Sequence, residues 1–400
     1  MSVPETERTP LAEAELTCGA CGWSQPLAGL AWRCGSCQGV LDLAVRAAAM
    51  PGLAALRDRP PTLWRYREAL PVAEVAGLSM GEGMTPLLNG PGRPGVAVKV
   101  DYLMPTGSFK DRGAVLLATL AARVLLRAAS LSVARMVADS SGNAGSAIAA
   151  YATRAGIGCD VYVPASTSAG KLAQLDAYGA RVHRVEGTRE DTAAAAAEAA
   201  DQPGVFYASH VYNPVFLHGT KTYAFEIWEQ LGGRLPEVLL LPVGNGTLVL
   251  GCYLGCRELL AAGLIDRLPR IVAVQAAGCA PLAAAMRSGA AAPGEAPPGS
   301  KNREVRGSGT VAEGIAIARP ARGAQILAAV RDTGGDIVTV TDDQTRAACA
   351  ELARSGLYVE PTSGVCWAAL QAGLAGPVPE PGPVPYLVAP LCGTGLKSHA

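Results

Sequence analysis

Pro105-Thr106-Gly107-Ser108-Phe109-Lys110-Asp111-Arg112-Gly113 sets a lysine just after a small polar turn and just before an apolar, helix-favouring run at 114–126. That order puts the Lys110 amine near a helix N-terminus, close to backbone N–H donors and the positive dipole end. An ordinary ammonium is poorly placed there, because its charge opposes the dipole. A lysine held as an imine to an aldehyde cofactor is well placed, because its charge is suppressed. Alone, the stretch also reads as a solvated lysine in a first turn, since short motifs match by chance.

Beyond the lysine, strands and helices alternate. Strands are expected at 96–100, 136–139, 159–163, 180–185, 204–208, 238–243, 271–275, 337–340 and 386–389. Helices are expected at 142–155, 168–178, 189–200, 216–231 and 247–262. This repetition predicts a doubly wound parallel sheet, whose sites lie at the carboxyl ends of strands. Residues 44–70 are mostly helical in composition. The stretch 288–309 is rich in Ala, Pro and Gly without apolar periodicity and reads as a mobile surface loop, with order returning at 311–317.

The 400 residues allow two or three domains. Hydrophobic residues make up 50% and aromatics only 5%, so the core must be built from Ala, Leu and Val. Lys+Arg and Asp+Glu are 34 each, and a formal net charge of +0 gives no electrostatic reason to expect nucleic acid or an anionic membrane as partner. Residues 1–10 do not read as a signal peptide. The uncharged run 238–256 is long enough for a membrane span, but Pro242 and Gly244-Asn245-Gly246 interrupt it, so it reads as strand, loop and helix. The 11 cysteines are therefore expected in a reducing, cytoplasmic compartment.

Cys18, Cys21, Cys34 and Cys37 form C-x2-C-x12-C-x2-C, with Gly22 and Gly39 beside the two pairs. Four soft ligands suit a closed tetrahedral zinc site, which stabilises a segment too short to hold itself by burial. Two disulfides, or a ribbon that has lost its metal, share this spacing. Four cysteine ligands leave no open coordination position, so a structural zinc is expected rather than a catalytic one.

Gly244-Asn245-Gly246-Thr247 lies between a strand and a helix, where backbone N–H groups can face a phosphate. It is not a G-x-x-x-x-G-K-[ST] loop, and no acidic residue is placed to read a ribose. Asn143 ends a Ser-Ser-Gly turn and opens a helix, where an ordinary N-cap is the plain alternative.

Together these stretches resemble the threonine synthase family of the fold-type II pyridoxal phosphate (PLP) enzymes. Pro105 to Gly113 is similar to its lysine segment, and Ser140-Ser141-Gly142-Asn143-Ala144-Gly145 to its asparagine loop. Gly244-Asn245-Gly246-Thr247-Leu248 is similar to its phosphate loop, and Gly81-Glu82-Gly83-Met84-Thr85-Pro86-Leu87 to its E-G-x-T-P-L segment. Glu360-Pro361-Thr362-Ser363 and Gly393-Thr394-Gly395-Leu396-Lys397 resemble its C-terminal segments. Some members resemble the chain in the N-terminal ribbon too.

The resemblance implies an α/β, tryptophan synthase β-like fold of two doubly wound domains plus a zinc-ribbon-like segment at 1–45. A small domain at 105–187 would carry the lysine, and 46–104 with 188–400 would form the large PLP domain. It implies PLP held as an imine by the catalytic Lys110, its ring hydroxyl met by Asn143, and its phosphate met by Gly244, Asn245, Gly246, Thr247 and Leu248. Cys392 stands where the family has a hydroxyl for the ring nitrogen. A thiol is a weak donor, so either Cys392 or Thr394 takes that role. Thr85, Ser108, Ser140, Ser141, His210 and His218 would meet an amino-acid substrate, in a homodimer. A pre-proline turn residue is the plain alternative for Thr85, and a hydrogen-bonded structural residue for each histidine.

The chain departs from the family at the substrate phosphate. Where the family reads N-S-V-N-P-x-R-x-x-G-x-K-T, this sequence reads His210-Val211-Tyr212-Asn213-Pro214-Val215-Phe216-Leu217-His218-Gly219-Thr220-Lys221-Thr222. Phe216 replaces the guanidinium that would clamp a phosphate in bidentate fashion. Met104 likewise replaces the usual Asn before Pro-Thr-Gly. Either His210, His218 or Lys221 takes over the phosphate and O-phospho-L-homoserine is converted to L-threonine, or the reaction is β-elimination or β-replacement on serine, threonine or an O-activated serine. A non-catalytic PLP-binding protein is the third alternative, though the lysine is kept.

Overall fold

Val238-Leu239-Leu240-Leu241-Pro242 is apolar and buried at every position, the pattern of a parallel strand covered on both faces. Around such runs the chain alternates as expected. The computed structural model describes residues 14–27, 30–45, 50–127, 135–167, 169–294, 309–377 and 382–397. Most of the expected 288–309 loop lies outside them.

In chain order the elements are β1 (Ala14–Thr17), β2 (Ser24–Pro26), β3 (Asp42–Val45), α1 (Leu53–Leu56), β4 (Leu87–Asn89), β5 (Val96–Lys99), α2 (Asp111–Arg127), β6 (Arg135–Ala138) and α3 (Asn143–Arg154). There follow β7 (Gly158–Pro164), α4 (Ala169–Ala177), β8 (Arg181–Val185), α5 (Arg189–Ala200), β9 (Val205–Tyr207), α6 (Val215–Thr220), α7 (Thr222–Gln230), β10 (Val238–Pro242), α8 (Thr247–Ala261) and β11 (Arg270–Ala276). The chain closes with α9 (Pro281–Ser288), α10 (Gly323–Asp332), β12 (Asp336–Val340), α11 (Asp342–Arg354), α12 (Pro361–Gln371) and β13 (Leu387–Pro390). Residues 50–70 are less helical than expected, with only α1 and a 3-10 helix at Leu63–Ala69.

Two compact units result, Met1–Gly83 with Lys110–Thr220, and Met84–Phe109 with Lys221–Ala400. In the first, β6 to β9 form a parallel sheet in the order β8-β7-β6-β9, and β1 to β3 form a small antiparallel sheet in the ribbon. This unit runs past the expected 105–187 segment because β9 pairs with β6 and takes the following residues with it. Glu82 draws in the segment before it. The buried carboxylate accepts from Trp64 Nε1 (3.0 Å), Ser79 Oγ (2.8 Å) and Tyr151 OH (2.9 Å).

The second unit carries the order β12-β11-β10-β13-β5-β4, parallel except for the antiparallel edge strand β4. β5 is buried at all four positions although it ends in Lys99. The Lys99 ammonium pairs with Glu226 at 2.7 Å, both side chains 0% exposed. A buried charge is tolerated only when it is paired in this way.

Where one strand's neighbours lead away in opposite directions, the loops leaving the carboxyl ends open a crevice. In the first unit that point lies between β6 and β9, and in the second between β10 and β13. The first therefore brings together the segments after Ala138 and Tyr207, and the second those after Pro242 and Pro390. Among the described residues, no helix is long and apolar enough to cross a membrane.

Candidate functional site

In the first unit Lys110 immediately precedes α2, and its carbonyl accepts the first helical bond from Ala114 N–H at 3.0 Å. The lysine thus stands at the N-terminus of a 17-residue helix, as its sequence position implies. Two glycines bring α6 against this first turn. A Cβ on Gly113 would meet the Phe216 ring at 2.4 Å, and one on Gly219 the Arg112 carbonyl oxygen at 1.9 Å. Phe216 is 0% exposed, with Lys110 Nζ 5.7 Å from its ring centroid. The His210 imidazole lies edge-on to the same ring at 5.9 Å. One buried aromatic ring is therefore shared by the lysine and the histidine.

The asparagine loop leaves β6 at the crevice. Gly142 is the N-cap of α3 and Asn143 its first residue, so Asn143 is not the ordinary N-cap that its neighbours allowed. Ser140 Oγ accepts from Gly142 N–H at 3.3 Å, and a Cβ on Gly145 would strike the Ser140 carbonyl oxygen at 1.8 Å. Ser140, Ser141 and Asn143 are all half-buried. The neighbouring segment after β9 is tied to β6 by Ala208 N–H to Val137 O at 2.8 Å. Burial, and then the Asp139 carboxylate, pushes the Tyr207 hydroxyl well above its ordinary value. Ser209 Oγ accepts from the N–H groups of Val211 (3.4 Å) and Tyr212 (3.3 Å), which folds His210 into a tight turn. His210 and His218 are both buried, the latter on α6.

The second unit places the Gly244–Leu248 turn between β10 and the 15-residue α8. Gly246 is the helix N-cap at φ +79°, a conformation that strains any residue with a side chain. A Cβ there would meet Ile326 Cδ1 at 2.3 Å, and one on Gly244 would meet Ile315 Cα at 2.8 Å. The backbone is thus held in the form of an anion cradle.

At the other lip of this crevice Cys392 is buried, and its carbonyl accepts from Phe109 N–H at 2.9 Å. Ser108 pairs with Gly393, and Ser363 Oγ accepts from Gly393 N–H at 3.2 Å. Thr394 Oγ1 accepts from Leu396 N–H at 3.2 Å, whereas Cys392 is fully buried. The Ser108 hydroxyl is 0% exposed with no hydrogen-bond partner. An orphaned buried hydroxyl fits a polar bound group such as PLP.

Two other candidates are engaged elsewhere. Thr85 Oγ1 donates to Asp101 at 2.6 Å, and its carbonyl accepts from Lys99 Nζ. Lys221 belongs to the second unit, where its buried ammonium pairs with Glu258 at 2.7 Å. Its charge is matched there by the Glu258 carboxylate.

In the ribbon the Sγ atoms of Cys18, Cys21, Cys34 and Cys37 all lie within 4.8 Å of one another. Cys18–Cys37 and Cys21–Cys34 are each separated by 3.5 Å, near the edge of about 3.8 Å that a zinc–sulfur tetrahedron requires. The N–H groups of Ser36 and Cys37 point at Cys34 Sγ at 3.4 Å. All four cysteines carry free thiols in this arrangement.

A family model described as "Pyridoxal-phosphate dependent enzyme" matches residues 78–389. The chain is 34% identical over 365 residues to the threonine synthase of Methanosarcina acetivorans, covering 89% of this chain and 86% of that one. It is 36% identical over 325 residues to the threonine synthase of Methanocaldococcus jannaschii (79% and 76%), and 36% over 347 residues to that of Mycobacterium leprae (84% and 89%). Solved structures sharing the fold include maize serine racemase, with a TM-score of 0.62 at 18% identity over 78% of this chain and 88% of that one. An L-serine ammonia-lyase from Rhizomucor miehei has a TM-score of 0.64 at 20% identity over 78% of this chain and 93% of that one.

Proposed function

The chain belongs to the threonine synthase family of PLP-dependent enzymes, and on that premise we propose that it converts O-phospho-L-homoserine to L-threonine. Lys110 would carry the cofactor, Asn143 would meet its ring hydroxyl, and Gly244, Asn245, Gly246, Thr247 and Leu248 would hold its phosphate. Cys392, rather than Thr394, would face the ring nitrogen. When bound, PLP supplies an electron sink for the charge left at the substrate Cα.

The rest of the chemistry falls to the chain's own side chains. The Lys110 amine takes the Cα proton. The Ser108 hydroxyl and the polar 140–143 turn bind the substrate's amino-acid head. The His210 imidazole donates to the departing phosphate, in place of the family's Asn and Arg pair. The observation that supports this reading is the buried Phe216 ring, approached both by Lys110 Nζ at 5.7 Å and by the His210 imidazole at 5.9 Å. Cys18, Cys21, Cys34 and Cys37 hold a structural zinc. A cytoplasmic homodimer completes the proposal.

Phe216 supports a second reading. It is an uncharged ring where the family has a guanidinium, and it suits β-elimination or β-replacement on serine, threonine or an O-activated serine. Steady-state kinetics on the holoenzyme separate the two. The first reading predicts the highest kcat/KM with O-phospho-L-homoserine, and His210→Leu raising its KM by about tenfold. The second predicts turnover of L-serine, L-threonine or O-phospho-L-serine alone, with His210→Leu of little effect.

A further inference from the structure

The ribbon does more than fold on itself. Between its two cysteine pairs it extends Trp32, only 8% exposed, into a cluster with Val137, Ala196, Ala200, Val205 and Tyr207. The indole meets Tyr207 edge-on at 4.8 Å and 84°, and Tyr212 at 5.4 Å and 87°. These tyrosines bracket the Ser209–His210 turn. Arg33 locks the approach, its guanidinium 4.4 Å from the Trp32 ring and its Nη2 2.6 Å from Asp201. Trp32 is two residues from Cys34, whose N–H bonds to Gly39 O at 2.9 Å, so the backbone that aims the indole is the backbone that aims a ligand.

We propose that Trp32 is a positioning residue through which metal in the Cys18–Cys37 ribbon holds the 205–213 segment, and with it His210, in its working conformation. Leu16, Leu27 and Leu41 pack the ribbon into the core of the first unit, but its two cysteine loops have too little core of their own to be fixed without metal. Without metal the indole loses its fixed mount, and two edge-to-face contacts on Tyr207 and Tyr212 slacken together. Losing two such pairs together is enough to shift a local opening equilibrium by about tenfold. The effect on catalysis rests on the reading of 209–222 as the substrate segment. The effect on conformation does not.

The test is amide hydrogen exchange on the zinc-loaded holoenzyme, before and after zinc is removed by a chelator. It is joined to the KM and kcat for O-phospho-L-homoserine. Zinc removal is expected to speed exchange at 207–213 by about tenfold and to raise KM by a similar factor. kcat should stay within about twofold, and the visible absorbance of PLP should be unchanged. Trp32→Leu should reproduce this with zinc still bound, and Trp32→Phe, which keeps an aromatic edge, should restore slow exchange. Faster exchange with an unmoved KM upholds the brace and removes the segment from substrate binding. Faster exchange confined to 14–45, or a purified protein that takes up no zinc, overturns the proposal.

Discussion

The turn at 244–247 and the turn at 208–213 occupy equivalent places in two different sheets. Each leaves the carboxyl end of a strand at the point where strand order reverses. They are built in opposite ways. The first is held by absence of side chains: Gly244 lets backbone meet backbone, Gly246 leaves room for the Ile326 side chain, and a single methyl group would collide with Ile315 or Ile326. The second is held by side chains: Ser209 gathers the N–H groups, the Phe216 ring meets His210 edge-on, and Tyr207 and Tyr212 on either side of the turn pack on Trp32. A cradle for one unvarying phosphate can be fixed by backbone. A segment proposed to fit a particular substrate can be adjusted through side chains.

Substitutions can break this contrast, beginning with the residue that both halves are expected to serve. Lys110→Ala should lower kcat by at least about 10³-fold and alter the cofactor's visible absorbance, read by stopped-flow and spectrophotometry. Near-normal turnover in that variant would remove the basis of the proposed chemistry.

Gly246→Ala should come next, costing about 1–3 kcal/mol through its positive φ and the Ile326 collision. A PLP titration should show affinity weakened by about tenfold or more. Unchanged PLP affinity would show that this glycine serves packing alone.

Phe216→Leu should leave PLP affinity within about twofold, because it alters only the side-chain-built half. It should still lower melting temperature and change kcat/KM, since a buried ring that contacts Gly113 is replaced by a smaller group. If PLP affinity falls as far as in Gly246→Ala, the two turns are not separable in this way.

The smallest effects divide Cys392 from Thr394. Cys392→Ser should shift the cofactor absorbance, whereas Thr394→Val should cost no more than the local bond to Leu396 N–H, about 0.5–1.5 kcal/mol. The reverse pattern would assign the ring nitrogen to Thr394.

The backbone-built half was legible in the sequence. Pro242 and the Gly-Asn-Gly punctuation turned an uncharged run into β10, a loop and α8, with bounds within a residue of those expected. Lys110 before a helix was equally plain. The side-chain-built half was not. Residues 216–231 read as one helix, but the chain forms α6 and α7 with Lys221 between them. The break comes from packing across long separations. A Cβ on Gly255 would meet the Lys221 carbonyl oxygen at 2.6 Å, and Glu258 pairs with the ammonium.

The family motif offered Lys221 as a phosphate partner because local sequence carries no sign of a glutamate 37 residues away. Helices α9, α10, α11 and α12 are not among the expected elements; α12 is apolar nearly all round and has no distinct face. Trp32 was overlooked as well. Its signal was available: a large apolar residue between two metal-binding pairs needs something to bury it.

On the proposed reading, residues 209–222 are rebuilt for a phosphate leaving group rather than abandoned. The most direct measurement follows inorganic phosphate and L-threonine together as holoenzyme acts on O-phospho-L-homoserine. Equimolar appearance of both is the predicted result. Release of neither, while L-serine or O-phospho-L-serine is consumed by the same preparation, would contradict it and leave β-elimination or β-replacement as the reaction.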